Sequence, residues 1–202
     1  MRAGIRIAAR TLFLLMAVLL AAGGTLAGQG AVSGKSQKED AAGFQKFLDR
    51  AQDYVKLHKA VEETLPPLKP KEELPEMIAA HQQALARKIQ QARPQAKRHD
   101  IFTKLSHKAF QRAIRSTFQG PQATHALATV EQGSPVKEVH LKVNEVYPDG
   151  VPHTTVPPTL LQKLPKLPDE LEYRIVGRDL ILLDVRANLV VDLLREVLPR
   201  KF

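Results

Sequence analysis

The sequence predicts an α+β protein: an N-terminal helical hairpin and a third helix, then a small antiparallel β-sheet closed by a C-terminal helix. Three observations carry that prediction. Apolar residues recur at three- and four-residue steps between Asp40 and Phe118, the period of a helix face. Near Val139 the pattern switches to alternation, the period of a half-buried strand. Two apolar runs then flank Gly177-Arg178, the sign of a tight hairpin.

The leader comes first in the chain. Arg2, Arg6 and Arg10 precede an uncharged apolar run from Leu12 to Ala22, and small residues follow from Gly23 to Gly28. A basic start, a short apolar middle and a small-residue exit make a secretory signal peptide. Residues 1–27 are read as that peptide, with the cut after Ala27. The run is short of the roughly 20 residues that a spanning helix needs, and an uncleaved inner-membrane anchor is the alternative. No cysteine is present, so neither a lipid-bearing Cys, a disulfide nor a thiolate metal site is available.

Residues 28–39, rich in Gly, Ser, Gln and Lys, read as a disordered tether. A helical region is expected over 40–119. Helix one presents Phe44, Phe47, Leu48, Ala51, Tyr54, Val55, His58, Val61 and Leu65 on one face, and Pro66, Pro67 and Pro70 stop it. Helix two starts near Leu74, with Pro75 in its first turn, and presents Leu74, Ile78, His81, Leu85, Ile89 and Ala92. Helix three is capped by Thr103, presents Leu105, Ala109, Ala113, Ile114 and Phe118, and ends at Gly120-Pro121.

Residues 120–202 read as the sheet region. Val139, Leu141 and Val143 alternate with polar neighbours, and Tyr147-Pro148-Asp149-Gly150 is a turn. The Pro-rich stretch 148–168 carries too many apolar residues for a linker and reads as a strap packed over the sheet, with one helical turn between Thr159 and Leu164. The hairpin pairs Ile175 with Leu180 and Tyr173 with Leu182, and the two-sided apolar strand at 180–183 should be central. Asn188 is read as the cap of a closing helix that turns Leu189, Leu193 and Val197 inward.

Three groups of residues could carry chemistry. If helices one and two fold back on each other, Val61 meets Ile78, Leu65 meets Leu74 and His58 meets His81. The imidazole pair reads as a hydrogen-bonded seam, or as a weak metal site if Glu62 joins it. As a buried neutral pair it predicts loss of stability between pH 7 and 5. Lys104, Lys108, Arg112 and Arg115 form a basic stripe on helix three, preceded by Arg87, Lys88, Arg93, Lys97 and Arg98. His140, Glu145, His153, Asp179, Asp184 and Asp192 surround the sheet without catalytic spacing. Asp184 and Asn188 read as turn and cap residues, and Asp179 as a partner of Arg178 or Arg174.

The segments LEYRIVGRDLILLDVRANLVV (171–191), VNEVYP (143–148), VPPTLLQKLPKLP (156–168) and YVKLHKAVEETLPPLKP (54–70) resemble a group of uncharacterised exported bacterial proteins. The resemblance spans most of the mature chain and implies a shared fold. The group has no assigned activity, so no functional residue carries over. After Phe102-Thr103 this chain departs from the group, with Lys104, Leu105 and Ser106 in place of acidic and proline residues.

The full chain of 202 residues carries a formal charge of +9, of which the leader arginines supply three, leaving about +6. That balance favours anionic partners. The expectation is a periplasmic or secreted, non-catalytic protein that meets an anionic membrane surface, a cell-wall polymer or an envelope protein. Nucleic acid is not expected there, nor is a cofactor. No metalloprotease, nucleophile-elbow or phosphate-loop motif occurs. The alternatives are an exported hydrolase or metal-dependent enzyme built from scattered His and Asp, and a membrane-tethered accessory subunit.

Overall fold

The computed structural model describes residues 27–68, 74–121, 123–132, 139–152 and 154–199, with 27–33 as backbone only. The apolar run from Leu12 to Ala22, where a signal peptide is expected, and His153 lie outside the described residues. The fold is α+β. Helices α1 (Ala27–Glu62), α2 (Pro75–Ala92), α3 (Lys104–Phe118) and α4 (Ala123–Gln132) precede a sheet of β1 (Thr154–Thr155), β2 (Leu171–Val176), β3 (Asp179–Asp184) and β4 (Leu189–Leu194). The one-turn helix α5 (Pro158–Leu161) sits in the strap between β1 and β2. Strand order is β1-β2-β3-β4, antiparallel throughout.

The sheet separates two cores. On one face Leu180, Leu182, Leu189, Val191 and Leu194 pack against the helices and the strap. On the other, Ile181, Leu183, Val190 and Leu193 pack against Leu141, Tyr147 and the half-buried Val139, Val143 and Val151. Coverage on both sides is why β3 is apolar on both faces from Leu180 to Leu183 and why β4 is buried at every position. The hairpin has the expected register, Ile175 opposite Leu180 and Tyr173 opposite Leu182. Gly177 turns it with a φ of 59°, the left-handed region that glycine enters without steric cost.

The face expected of helix one is the face it buries. Phe47, Ala51, Tyr54, Val55 and His58 are buried, with Phe44, Leu48, Val61 and Leu65 packed beside them. Phe47 stacks on Phe102 with centroids 5.1 Å apart and meets Phe110 edge-on at 4.9 Å. Tyr173 joins them from β2, 6.0 Å from Phe47. This aromatic group ties α1, α3 and the sheet together.

Five expectations are corrected. The segment 28–39 is no separate tether, because α1 runs through it. Gln37, Lys38 and Glu39 are good helix formers, and an ion pair between Asp40 and Arg112 fixes the helix to α3. The helical hairpin has a different register: Lys88 donates to the Thr64 hydroxyl at 2.7 Å, where the expected pairing would set Lys88 beside Ala51. The end of α2 is held by the sheet side, through Gln90 Nε2 to the Asn144 carbonyl at 2.9 Å and Asn144 Nδ2 to the Arg93 carbonyl at 3.0 Å. Its first turns therefore overhang α1, leaving Leu74 61% and Ile78 43% exposed.

Residues 139–144 form no strand. They run beside β4, bonded by Asn144 N–H to the Val190 carbonyl at 2.7 Å, and Asn144 at φ 64° breaks the extension. The alternation still marks the inward residues, since Leu141 is buried and Val139 and Val143 face the second core. The helix α4, between Gly120 and the sheet region, had no counterpart among the expected elements. Last, the closing helix is strand β4, wholly buried. Asn188 does not cap a helix: it holds a left-handed φ of 48° in the turn before β4 and donates to the Tyr147 carbonyl at 3.2 Å. Val190 and Val191 favour a strand, and the apolar run suits a strand covered on both faces.

Candidate functional site

The predicted His58–His81–Glu62 group is not assembled. His58 is fully buried, but its partner is Asp184 at the end of β3. His58 Nδ1–H donates to Asp184 Oδ2 at 2.6 Å, and the Tyr54 hydroxyl donates to the same oxygen at 2.7 Å. The other oxygen, Oδ1, accepts from the backbone N–H of Arg186 at 3.0 Å and of Ala187 at 2.9 Å. Asp184 is thus the turn residue it was read as, and also the anchor of α1. His58 Nε2 lies 3.5 Å from Glu62 Oε2, and Glu62 in turn binds Arg186 at 2.9 Å. His81 lies on the half-buried side of α2. Among the described residues no group of three His, Asp or Glu side chains is placed to hold a metal ion.

This network can store a proton, but His58 and Asp184 are wholly buried, so a substrate has no approach to them. Burial opposes the imidazolium, yet the Asp184 hydrogen bond and charge, with Glu62 behind, outweigh it and raise the His58 pKa. Burial, with Asp184 adding to it, pushes the Tyr54 hydroxyl well above its ordinary value. The expected acid sensitivity of His58 is therefore reversed in sign. A raised histidine stabilises the fold below its unfolded value and loses that contribution as pH rises.

The other predicted residues are spread out. Lys104, Lys108 and Arg115 are exposed on α3, whereas Arg112 is drawn to Asp40, with Nε to Oδ1 at 2.7 Å. His140 and Glu145 are exposed, the latter 3.2 Å from Lys142. Asp179 pairs with neither Arg178 nor Arg174. It accepts from the Glu196 N–H at 2.8 Å and stands 3.8 Å from Arg195, because Arg174 is taken by Glu172 at 2.6 Å. Arg178 instead donates to the Leu198 carbonyl at 3.1 Å.

Asp192 is fully buried and accepts four backbone N–H groups, those of His99, Ile101, Phe102 and its own neighbour Leu193, at 2.7 to 3.2 Å. A register shift in β4 accounts for its aim. Leu182 pairs with Asp192 and Leu183 with Val190, so Val191 is the extra residue of a bulge. The bulge lets Val191 and Asp192 both turn toward the helical layer. Burial raises the Asp192 carboxyl, and the four N–H groups pull it back in part.

Asp192 holds the loop that walls a cavity of about 360 Å³, lined by Arg50, Asp53, Tyr54 and Leu57 of α1 and by Arg93, His99, Asp100, Ile101 and Thr103. The Arg93 guanidinium lies over the Tyr54 ring, 5.0 Å from its centroid. His99 adopts φ 74°, and its Nδ1 is bonded to the Phe102 carbonyl at 3.1 Å. Its ring stacks on His107 at 5.6 Å. Burial, with the His99 charge adding to it, lowers the His107 pKa. Arg93 stood out in the sequence as part of a basic run. Arg50 did not, because only the fold brings position 50 to the 93–103 loop.

No family model, curated protein or solved structure matches the chain. Among the described residues no helix is long and apolar enough to cross a membrane.

Proposed function

We propose that the protein is exported through its leader and, in the periplasm or outside the cell, binds an anionic envelope component without transforming it. The basic face of α3 carries this reading. Lys104, Lys108 and Arg115 are exposed and have no carboxylate partner among the described residues. They sit opposite a side that buries Ala109, Phe110, Ala113, Ile114 and Phe118. Lys97 and Arg98, also exposed, extend the positive surface into the loop before the helix. Such a face attracts phosphate-bearing surfaces at low salt.

Co-sedimentation with vesicles tests it. The protein should pellet with phosphatidylglycerol vesicles, stay in solution with phosphatidylcholine, and release as salt rises from 0.05 to about 0.5 M, where the Debye length shrinks to a few ångströms. The triple variant Lys104→Gln, Lys108→Gln, Arg115→Gln should lose most of the binding. Pelleting that ignores both lipid charge and salt removes the electrostatic reading. Export has its own test: protein recovered from the envelope should begin at Gly28, and a cytosolic chain still starting at Met1 overturns it.

A further inference from the structure

We infer that the cavity between α1 and the 93–103 loop is a phosphate site, one that takes the phosphate of a small phosphorylated group. The inference rests on the anionic-ligand reading above and gives it a place and a chemistry. The charges come first. Arg50 and Arg93 line the cavity, and among the described residues neither has a carboxylate partner. The two acids of the lining are already engaged: Asp53 by Lys56 at 3.2 Å, and Asp100 by the Lys97 backbone N–H at 2.9 Å. With the Lys56 that pairs Asp53 counted, three cations stand against two carboxylates at the cavity.

Arg93 strengthens the case. Its guanidinium lies over the Tyr54 ring, 5.0 Å from the centroid, and its Nη1 is buried without a hydrogen-bond acceptor. A buried donor with no acceptor is costly, and a charged one more so. An oxyanion brought to the guanidinium supplies the missing acceptor in the planar geometry that arginine matches best. Thr103 adds a third contribution. It is the N-cap of α3, so the positive end of that helix opens at the cavity wall. The left-handed His99, held in place by Asp192, is a strained residue of the kind that collects at binding sites.

Size limits the guest. A cavity of about 360 Å³ lies in the range of small-molecule pockets and has room for one small group. It suits a phosphate carrying something of the size of glycerol or a sugar. That group could arrive free or as the headgroup of a lipid, and the chemistry at the two arginines is the same.

Isothermal titration with glycerol 3-phosphate, inorganic phosphate and acetate tests the site. Both phosphates should bind and acetate should not. Arg50→Ser, at an exposed position that leaves the core untouched, and Arg93→Gln should each weaken binding tenfold or more. Lys108→Gln with Arg115→Gln should leave it unchanged. Far-UV circular dichroism checks that Arg93→Gln is folded, and Arg50→Ser decides alone if it is not. If glycerol 3-phosphate displaces the protein from phosphatidylglycerol vesicles, the source is a lipid headgroup. If it binds without displacing, the source is a soluble phosphate. The site is overturned if neither phosphate binds, if acetate binds as well, or if Arg50→Ser binds like the wild type. Vesicle binding that survives both arginine changes and disappears in the α3 triple variant would exclude a lipid headgroup as the source while leaving the anionic-surface reading in place.

Discussion

At the residue scale, Asp184 joins parts of the chain that are far apart in sequence, since its carboxylate serves Tyr54 and His58 on α1 and two N–H groups of its own turn. Replacing it with Asn removes the charge opposite a buried imidazole and should destabilise the fold by about 3 kcal/mol in urea titration. Tyr54→Phe deletes one of several donors to that carboxylate and should cost only about 1 kcal/mol. Two histidines should shape the pH profile in opposite senses. The His58 contribution is full below its ordinary 6.5 and declines as pH rises through its raised value, so His58→Gln should flatten the alkaline side. The His107 contribution is full above 6.5 and declines as pH falls through its lowered value, so His107→Gln should flatten the acid side. Urea midpoints between pH 5 and 8.5 check both, and unchanged slopes in either variant exclude that residue. The burial of His58 was legible from its place on an apolar helix face. Its partner was not, because helix periodicity says nothing about a carboxylate 126 positions away.

At the element scale, α1 offers a matched pair of glycines. A Cβ at Gly43 would lie 3.0 Å from the Leu105 carbonyl oxygen and 3.2 Å from the Ala109 Cβ, where α1 crosses α3. At Gly34 it would meet nothing within 4 Å. Alanine gains up to about 1 kcal/mol over glycine in a helix interior, so Gly34→Ala should raise helicity and slow amide exchange near the start of α1. Gly43→Ala should instead lose about 1 to 3 kcal/mol, as overpacked sites do. Equal effects at the two positions would mean that the helices do not cross at Gly43.

Elements were unevenly legible. The β2–β3 hairpin could be read to the residue, because Gly177 fixes the turn and an apolar run flanks it on each side. Strand β4 was misread because Leu189, Val190, Leu193 and Leu194 fit a helix face as well as a doubly covered strand. A short apolar run cannot separate the two. Length and the pair Val190-Val191 were the remaining clues.

At the scale of the whole molecule, three layers share two cores: helices with the strap, the sheet, and the segment 139–152. Phe47, Phe102, Phe110 and Tyr173 cross the boundary between the helices and the sheet. With that much shared packing the folded part should unfold as one unit. Helix loss at 222 nm and the near-ultraviolet signal of the tyrosines, two of which (Tyr147 and Tyr173) lie on the sheet side, should give coincident urea transitions. Separated midpoints would mean that the layers are independent. Leu182→Ala, at the centre of the sheet and fully buried, should lower both by about 3 kcal/mol. Fold class was legible because periodicity reports local structure. The cavity was not, since it exists only where α1 and the loop after α2 meet.

The bulge in β4 has a consequence for how anything would enter that cavity. By turning Asp192 inward it rivets residues 99–102 to the most deeply buried part of the chain. The rim therefore takes its shape when the protein folds, and a guest meets a finished mould. Such a receptor has little ordering entropy left to lose on association and should capture its guest at a rate set by encounter, without a slow rearrangement step.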